Sequence, residues 1–251
     1  HMNGETPLDI VAAHASTAAR VLVTHRNIVT VRSLRRMLSE SGITNVDVFA
    51  GHGTDPLPRD LNADVATIRI PREALPLRLL LKDAFDVLKI GGHCFIAGAN
   101  DEGAKTAARL LHELFGNSRV LARESGHRIV VASKNAAAPT NVANFDSPYL
   151  DSNNFCACAV TLRSHTFTVY SRPGVFSWDH LDEGTETLAN AMQVNAGDSV
   201  LDLGCGAGTL GTLAALLSQT GRVAMVDADT EAVRSAIRTA QATGAHHVTV
   251  L

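Results

Sequence analysis

The chain has 251 residues, a formal net charge of −3 and 45% hydrophobic residues, which suits one or two domains with sizeable cores. Aromatic residues make up only 4%, so no stacking platform for single-stranded nucleic acid is advertised, and the overall charge is no nucleic-acid signature. The charge is uneven: residues 1–150 hold 17 Lys and Arg against 15 Asp and Glu, and residues 151–251 hold 5 against 10. The first part is therefore the better candidate for touching a polyanion.

No apolar run reaches the ~18 residues of a membrane span, and no signal peptide is read. The four cysteines, Cys94, Cys156, Cys158 and Cys205, lack zinc spacing and read as buried free thiols. His25, His52 and His93 show no metal-ligand spacing and read as structural or surface residues. The expectation is a cytoplasmic protein with no metal and no membrane partner.

In chain order, Pro7 to Arg20 is Ala-rich and predicts a helix, and Arg20 to Thr24 a strand. Thr30 predicts the cap of a helix running to about Ser41, with Val31, Leu34, Met37 and Leu38 on one face. Arg32, Arg35 and Arg36 fall on the other face, either as an RNA-facing stripe or as a solvated surface. Strands are predicted at Val46–Ala50 and Asp64–Ile70, flanking the loop Gly51 to Pro58, and a helix at Glu73–Lys89. Gly91-Gly92 predicts a break before a strand at His93–Ala97, followed by a helix over Glu102–Phe115 and a hairpin closed at Glu124-Ser-Gly126. This β/α alternation implies a largely parallel sheet with helices on both faces. Lys134–Ser147 reads as a linker by composition. Beyond it, Asn154–Ser164 and His165–Ser171 predict two strands, and Leu188, Ala191 and Met192 mark a helix.

The densest chemistry lies between Gly197 and Asp227. Ser199–Leu203 reads as a buried strand, a loop with Gly204, Gly206 and Gly208 follows at once, and Leu210–Leu217 reads as a helix. Strand, glycine turn and helix form the layout of a nucleotide-type pocket, where backbone approaches ligand and a helix N-terminus offers N–H groups. A dinucleotide fingerprint starting directly after the strand would need a glycine at Thr209, so that register fails. The next strand, Gly221–Asp227, also ends in a carboxylate, which suits two ribose hydroxyls because an ionised acid is acceptor-only.

The spacing Asp202-x-Gly204-x-Gly206-x-Gly208 resembles the first motif of class I S-adenosylmethionine (SAM) methyltransferases. Together with Pro173-Gly-Val-Phe-Ser177 and Leu181-Asp-Glu-Gly-Thr185 it resembles the methyltransferase small domain family, which includes ribosomal RNA guanine methyltransferases acting on the exocyclic amine (N2). The resemblance implies SAM as cofactor and ribosomal RNA as partner. Gly204, Gly206 and Gly208 would pass the methionine part, Asp202 would orient its ammonium, Asp227 would take the ribose, and Cys205 and Ala228 count among the cofactor-binding residues. Phe176, Asp182 and Thr185 would flank the methionine end, although Asp182 and Thr185 also suit helix capping. In the bacterial members a degenerate domain precedes the active one, and Ile96 to Lys105 is similar to part of that domain.

The expected fold is thus α/β, with tandem Rossmann-like methyltransferase-type domains: a degenerate one at 1–133, a linker at 134–147, and the N-terminal part of a SAM-binding domain at 148–251. The second is expected to be truncated after the start of its third strand, at His247–Leu251. The family's Asn-Pro-Pro-aromatic acceptor loop does not occur in this sequence, so no catalytic residue is named and the fragment alone is expected to be inactive. Two other readings stay open: an NAD(P)-dependent oxidoreductase, and a non-catalytic RNA-binding module with a methyltransferase-like fold.

Overall fold

The computed structural model describes residues 16, 18–245 and 247–251. The helix predicted over Pro7–Arg20 lies almost wholly outside them. The chain divides into two compact units, one formed by residues up to His52 together with Phe155–Leu251, the other by Gly53–Asn154.

In the first unit, strand β1 (Val21–His25), helix α1 (Ile28–Glu40) and strand β2 (Val46–Ala50) form a parallel β-α-β element, with Val21 opposite Val46. Val31, Leu34 and Leu38, spaced three and four apart, bury one face of α1 against Val48. The helix starts before Thr30 because Asn27, not Thr30, is the cap: its side-chain oxygen accepts the N–H groups of Val29 (2.9 Å) and Thr30 (3.0 Å).

The same unit continues with an antiparallel hairpin, β7 (Cys156–Leu162) and β8 (His165–Ser171), numbered after the strands of the second unit. Its two turn residues, Arg163 and Ser164, both have positive φ (47° and 71°), the twist that two-residue hairpin loops require. Helix α4 (Glu183–Ala191) follows, capped by Asp182, which accepts the Thr185 N–H at 2.9 Å. Then come β9 (Val200–Leu203), α5 (Thr209–Leu217), β10 (Val223–Val226), α6 (Thr230–Thr243) and β11 (Val248–Val250). The three strands form a parallel sheet in the order β11-β10-β9. Gly211 lets α5 approach it: a Cβ there would lie 2.6 Å from Met225 Cγ. Helix α6 is pinned to β8 by Thr239, whose hydroxyl accepts the Tyr170 N–H (2.9 Å) and donates to the Tyr170 carbonyl (3.2 Å).

The second unit holds β3 (Ala63–Arg69), α2 (Ala74–Val87), β4 (Leu88–Ala99), α3 (Ala104–Phe115), β5 (Arg119–Glu124) and β6 (His127–Ser133), with sheet order β3-β4-β6-β5. β3 and β4 are parallel, and the closing hairpin is antiparallel. Here the predicted break at Gly91-Gly92 is corrected: β4 runs through both glycines. Gly91 takes φ +86°, and the pairing slips between Ala63 and Val65, so the glycines absorb a bulge inside a paired strand rather than ending a helix. Residues 134–147 are packed rather than free-running. Lys134 is buried, and its ammonium donates to the carbonyls of Phe85 (2.6 Å) and Leu88 (2.7 Å) at the end of α2, while Phe145 joins the core. Asp83 is half-buried and accepts the Thr54 N–H at 3.0 Å; desolvation raises its carboxyl to about 6. Among the described residues no helix is long and apolar enough to cross a membrane.

Candidate functional site

The loops at the carboxyl ends of β9 and β10 face one another. In the first, Gly204, Gly206 and Gly208 all take positive φ (76°, 54° and 80°), so the alternating glycines follow from an alternating left-handed backbone. A Cβ at Gly204 or Gly206 would meet nothing within 4 Å, whereas at Gly208 it would press on Ala236 and Met225 at 3.0–3.1 Å. The first two glycines thus border open space, and the third is a packing residue. The carboxylates fix both loops. Asp202 accepts the Gly211 N–H (2.8 Å), and Asp227 accepts the N–H groups of Gly206 (2.9 Å) and Asp229 (2.9 Å). Burial raises the Asp202 carboxyl, the Gly211 N–H works against that rise, and the neighbouring Asp227 charge adds to it.

A third wall comes from the turn after β8. Arg172, Pro173 and Val175 are buried, while Phe176 one residue on is 76% exposed. Ser177 takes φ +47°, an uncommon conformation for a residue with a side chain. The segment ends at Asp182, the cap of α4.

These three elements enclose a cavity of about 430 Å³. Of the residues predicted for a cofactor, Phe176, Asp182, Thr185, Asp202, Gly204, Cys205, Gly206 and Asp227 all line it. Gly208 and Ala228 are not among its lining residues: Gly208 packs beneath the loop, and the Ala228 carbonyl accepts the Ile28 N–H at 2.8 Å. The lining also includes residues that sequence reasoning passed over, notably Cys158, Trp178, His180, Thr209, Leu210 and Asp229. Trp178 and His180 had a signal available, since they sit between the two motifs that flank the cavity. Cys158 corrects the reading of buried thiols: Cys156 and Cys158 are only half-buried, because the inward face of β7 meets the core at Val160 and Leu162 but opens onto the cavity towards its start. Cys205 is buried, and burial pushes its thiol up to about 12, so it is inert as a nucleophile at neutral pH.

The β10–α6 loop is held from two sides. Buried Arg172 donates from Nε to Glu231 (3.0 Å), and Arg234 donates to the other oxygen of the same carboxylate (2.9 Å). Burial alone would raise the Glu231 carboxyl, but Arg234 and Arg172 hold it below the usual range. From the β1–α1 turn, Arg26 forms a two-pronged ion pair with Asp229, one prong being Nε to Oδ1 at 3.0 Å. His52 is buried near this group, and burial, then the Arg26 charge, lower it to about 4, so it is neutral at pH 7. His25 serves locally, its Nδ1 accepting the Asn27 N–H at 3.0 Å. Among the described residues no group of His, Cys, Asp and Glu is arranged to hold a metal.

Cavity, glycine loop and strand-end acids agree with the chain's similarities. Residues 166–251 match the family model of the methyltransferase small domain. Proteins called ribosomal RNA small subunit methyltransferase C from Pseudoalteromonas atlantica and Hahella chejuensis are 29% and 30% identical, over 74% and 75% of this chain. The same alignments cover 52% and 53% of those proteins, so the chain spans about half the length of the curated relatives it matches. A counterpart from Actinobacillus succinogenes is 41% identical over 37% of this chain and 28% of its own length. Among solved structures, the T. thermophilus 16S rRNA N2 G1207 methyltransferase in complex with AdoMet and guanosine superposes with a TM-score of 0.72 at 23% identity. That match covers 92% of this chain and 58% of the other. The fold is therefore the mixed α/β methyltransferase fold, and the similarity to the methyltransferase small domain lies in residues 166–251.

Proposed function

We propose that the chain is the cofactor-binding part of a SAM-dependent methyltransferase that modifies a guanine exocyclic amine in ribosomal RNA. One observation carries the choice of cofactor. Two strand-end carboxylates, Asp202 and Asp227, line a single cavity, and among the described residues the bonds that hold them come from backbone N–H groups rather than from cations. Such a site suits a ligand with positive charge. SAM supplies an activated methyl on a sulfonium, next to an ammonium group. A dinucleotide would instead bring negative phosphates to a helix start whose Gly211 N–H is already taken by Asp202.

In this reading Asp202 faces the ammonium and Asp227 the ribose hydroxyls, with Gly204 and Gly206 giving backbone clearance. Phe176, Asp182 and Thr185 form the opposite wall. The protein's task is then to hold donor and amine in line at contact distance, with water kept out by the apolar lining of Val160, Val169 and Leu210. The names of the relatives support ribosomal RNA as the partner. We assign residues 1–133 to a degenerate methyltransferase-type domain and 148–251 to the N-terminal part of the SAM-binding one, joined by 134–147. Arg32, Arg35 and Arg36 are the proposed RNA contacts.

Side-by-side calorimetric titrations with SAM and NADH test the cofactor. Binding of SAM alone is expected. Its affinity should fall as pH drops through the raised Asp202 value, because the protonated acid no longer attracts the ammonium. Binding of NADH alone would overturn the reading in favour of an oxidoreductase. Binding of neither ligand would leave a non-catalytic module.

A further inference from the structure

The β1–α1 turn contains no glycine loop, yet it is bonded to the loop that carries Asp227. The Ile28 N–H donates to the Ala228 carbonyl (2.8 Å), and the Thr230 N–H donates to the Arg26 carbonyl (3.0 Å). Between these two backbone bonds, Asn27 and Asp229 form an antiparallel bridge. The Arg26 guanidinium closes the contact with its two-pronged bond to Asp229. Only 18% of the Arg26 side chain and 30% of the Asp229 side chain are exposed, so this pair is better shielded from solvent than an ordinary surface pair.

Asp229 is in turn coupled to the candidate cofactor acid. Its N–H donates to Asp227 Oδ1, while Asp227 Oδ2 holds the Gly206 N–H of the glycine loop. A continuous path therefore runs Arg26–Asp229–Asp227–Gly206, each step a hydrogen bond of 3.0 Å or less. Asp229 also caps α6 by accepting the Glu231 N–H at 2.9 Å. If Asp229 swung away, the Asp227 carboxylate would lose one of its two orienting donors.

We propose that Arg26, with the Asn27 backbone, is a positioning element for the cofactor: the β1–α1 turn clamps the β10–α6 loop so that Asp227 is held in its acceptor orientation. The proposal rests on the reading of the cavity as a SAM site. It gives the N-terminal segment a role inside the methyl-donor site, separate from any contact with RNA. Arg26 touches no reacting group; it acts through Asp229.

The test compares Arg26→Ala, Arg26→Lys and, as control, Arg20→Ala, which removes the exposed Arg20–Asp47 pair on the same β1–β2 element. Two readouts are taken on the whole chain: SAM affinity by calorimetry, and amide hydrogen exchange without ligand. For Arg26→Ala we expect SAM affinity to fall roughly two- to thirtyfold, the range for residues coupled to a site without touching its ligand. Exchange should rise at residues 227–231 and not across β3–β6. Arg26→Lys, which keeps the charge but loses the fork, should recover part of both effects. Arg20→Ala should move neither.

Unchanged affinity and unchanged exchange in Arg26→Ala would overturn the clamp. Local exchange without loss of affinity would overturn its link to the cofactor, and a chain-wide rise in exchange would reduce Arg26 to a stability residue. If the unaltered chain binds no SAM, the cofactor reading fails and the positioning role falls with it. The exchange data then still decide whether Arg26 restrains the 227–231 loop.

Discussion

Two turns in one compact unit have the same plan, parallel strand to helix, and opposite finishes. After β1 the chain crosses to α1 through Arg26 and Asn27, and the Asn27 side chain satisfies the N–H groups of Val29 and Thr30 itself. After β9 it crosses to α5 through three left-handed glycines, and the cap residue, Gly208, contributes no side-chain bond. The first turn is closed by its own chemistry. The second relies on carboxylates brought from elsewhere, Asp202 from β9 and Asp227 from the end of β10. The cavity lies where the turn is left open, and the closed turn is bonded to the neighbouring loop.

The largest expected effect comes from filling the open turn. Gly206→Val puts a branched side chain at φ +54° into the space bordering the cavity. SAM binding should be lost beyond detection by calorimetry, while the circular dichroism of the rest of the chain persists. The matching change in the closed turn, Asn27→Gly, should cost only a few tenths of a kcal/mol, because glycine is itself a tolerable cap. A global loss of helical signal on Gly206→Val would mean that the loop is structural.

Next comes the wall that an open turn needs. Arg172→Ala would strand Glu231, a carboxylate only 2% exposed, with Arg234 as its remaining ion partner. Breaking a buried pair from one side costs about 3–5 kcal/mol, to be read from urea denaturation. The pH dependence has a definite sign. Glu231 is held below the usual carboxylate range in the folded state, so its contribution is present above the unfolded glutamate value. That contribution is lost as pH falls through the lowered folded value. In Arg172→Ala this acid-side loss should shrink.

Asp227→Ala removes the acid that faces both loops. Losing hydrogen bonds to a charged group costs about 1.5–3 kcal/mol, or roughly ten- to more than a hundredfold in SAM affinity. Unchanged affinity in calorimetry would remove Asp227 from the site.

The open turn was legible in the sequence and the brace was not, for physical reasons. Alternating glycines and strand-end acids are local signals, since each residue's role follows from the backbone it sits in, and most of the residues named for the site meet in one cavity. The elements of the C-terminal part also followed closely from periodicity; the helix read over Leu210–Leu217 is α5, Thr209–Leu217. Arg26–Asp229 joins residues 203 apart in the chain, and Arg172–Glu231 joins residues 59 apart. No local pattern marks an arginine as the partner of a distant carboxylate. Gly91-Gly92 misled for a related reason: a glycine pair reads as a break until the strands on both sides of β4 are known. Thr30 is also a capping type, though a weaker one than Asn27, and the geometry decides for Asn27.

The smallest effect concerns the outer face of the closed turn's helix. Arg32, Arg35 and Arg36 are all exposed on α1, but they are not equivalent. Arg35 donates from two nitrogens to the Val48 carbonyl (3.0 and 2.6 Å), which ties it to β2, and Arg36 lies 4.0 Å from Glu40 one helical turn on. Arg32 is the one to test first for contact with RNA phosphate. Each phosphate that is neutralised contributes about 0.7–0.9 to the slope of log affinity against log salt. Arg32→Ala in this chain should therefore flatten the slope for ribosomal RNA by about one unit or less, Arg36→Ala by less still, and SAM affinity should not move. Replacing Arg35 as well would loosen β2, so a triple change confounds contact with packing. If Arg32→Ala leaves the slope where it was, α1 presents a solvated face, and the N-terminal element acts on the reaction only through its brace on the β10–α6 loop.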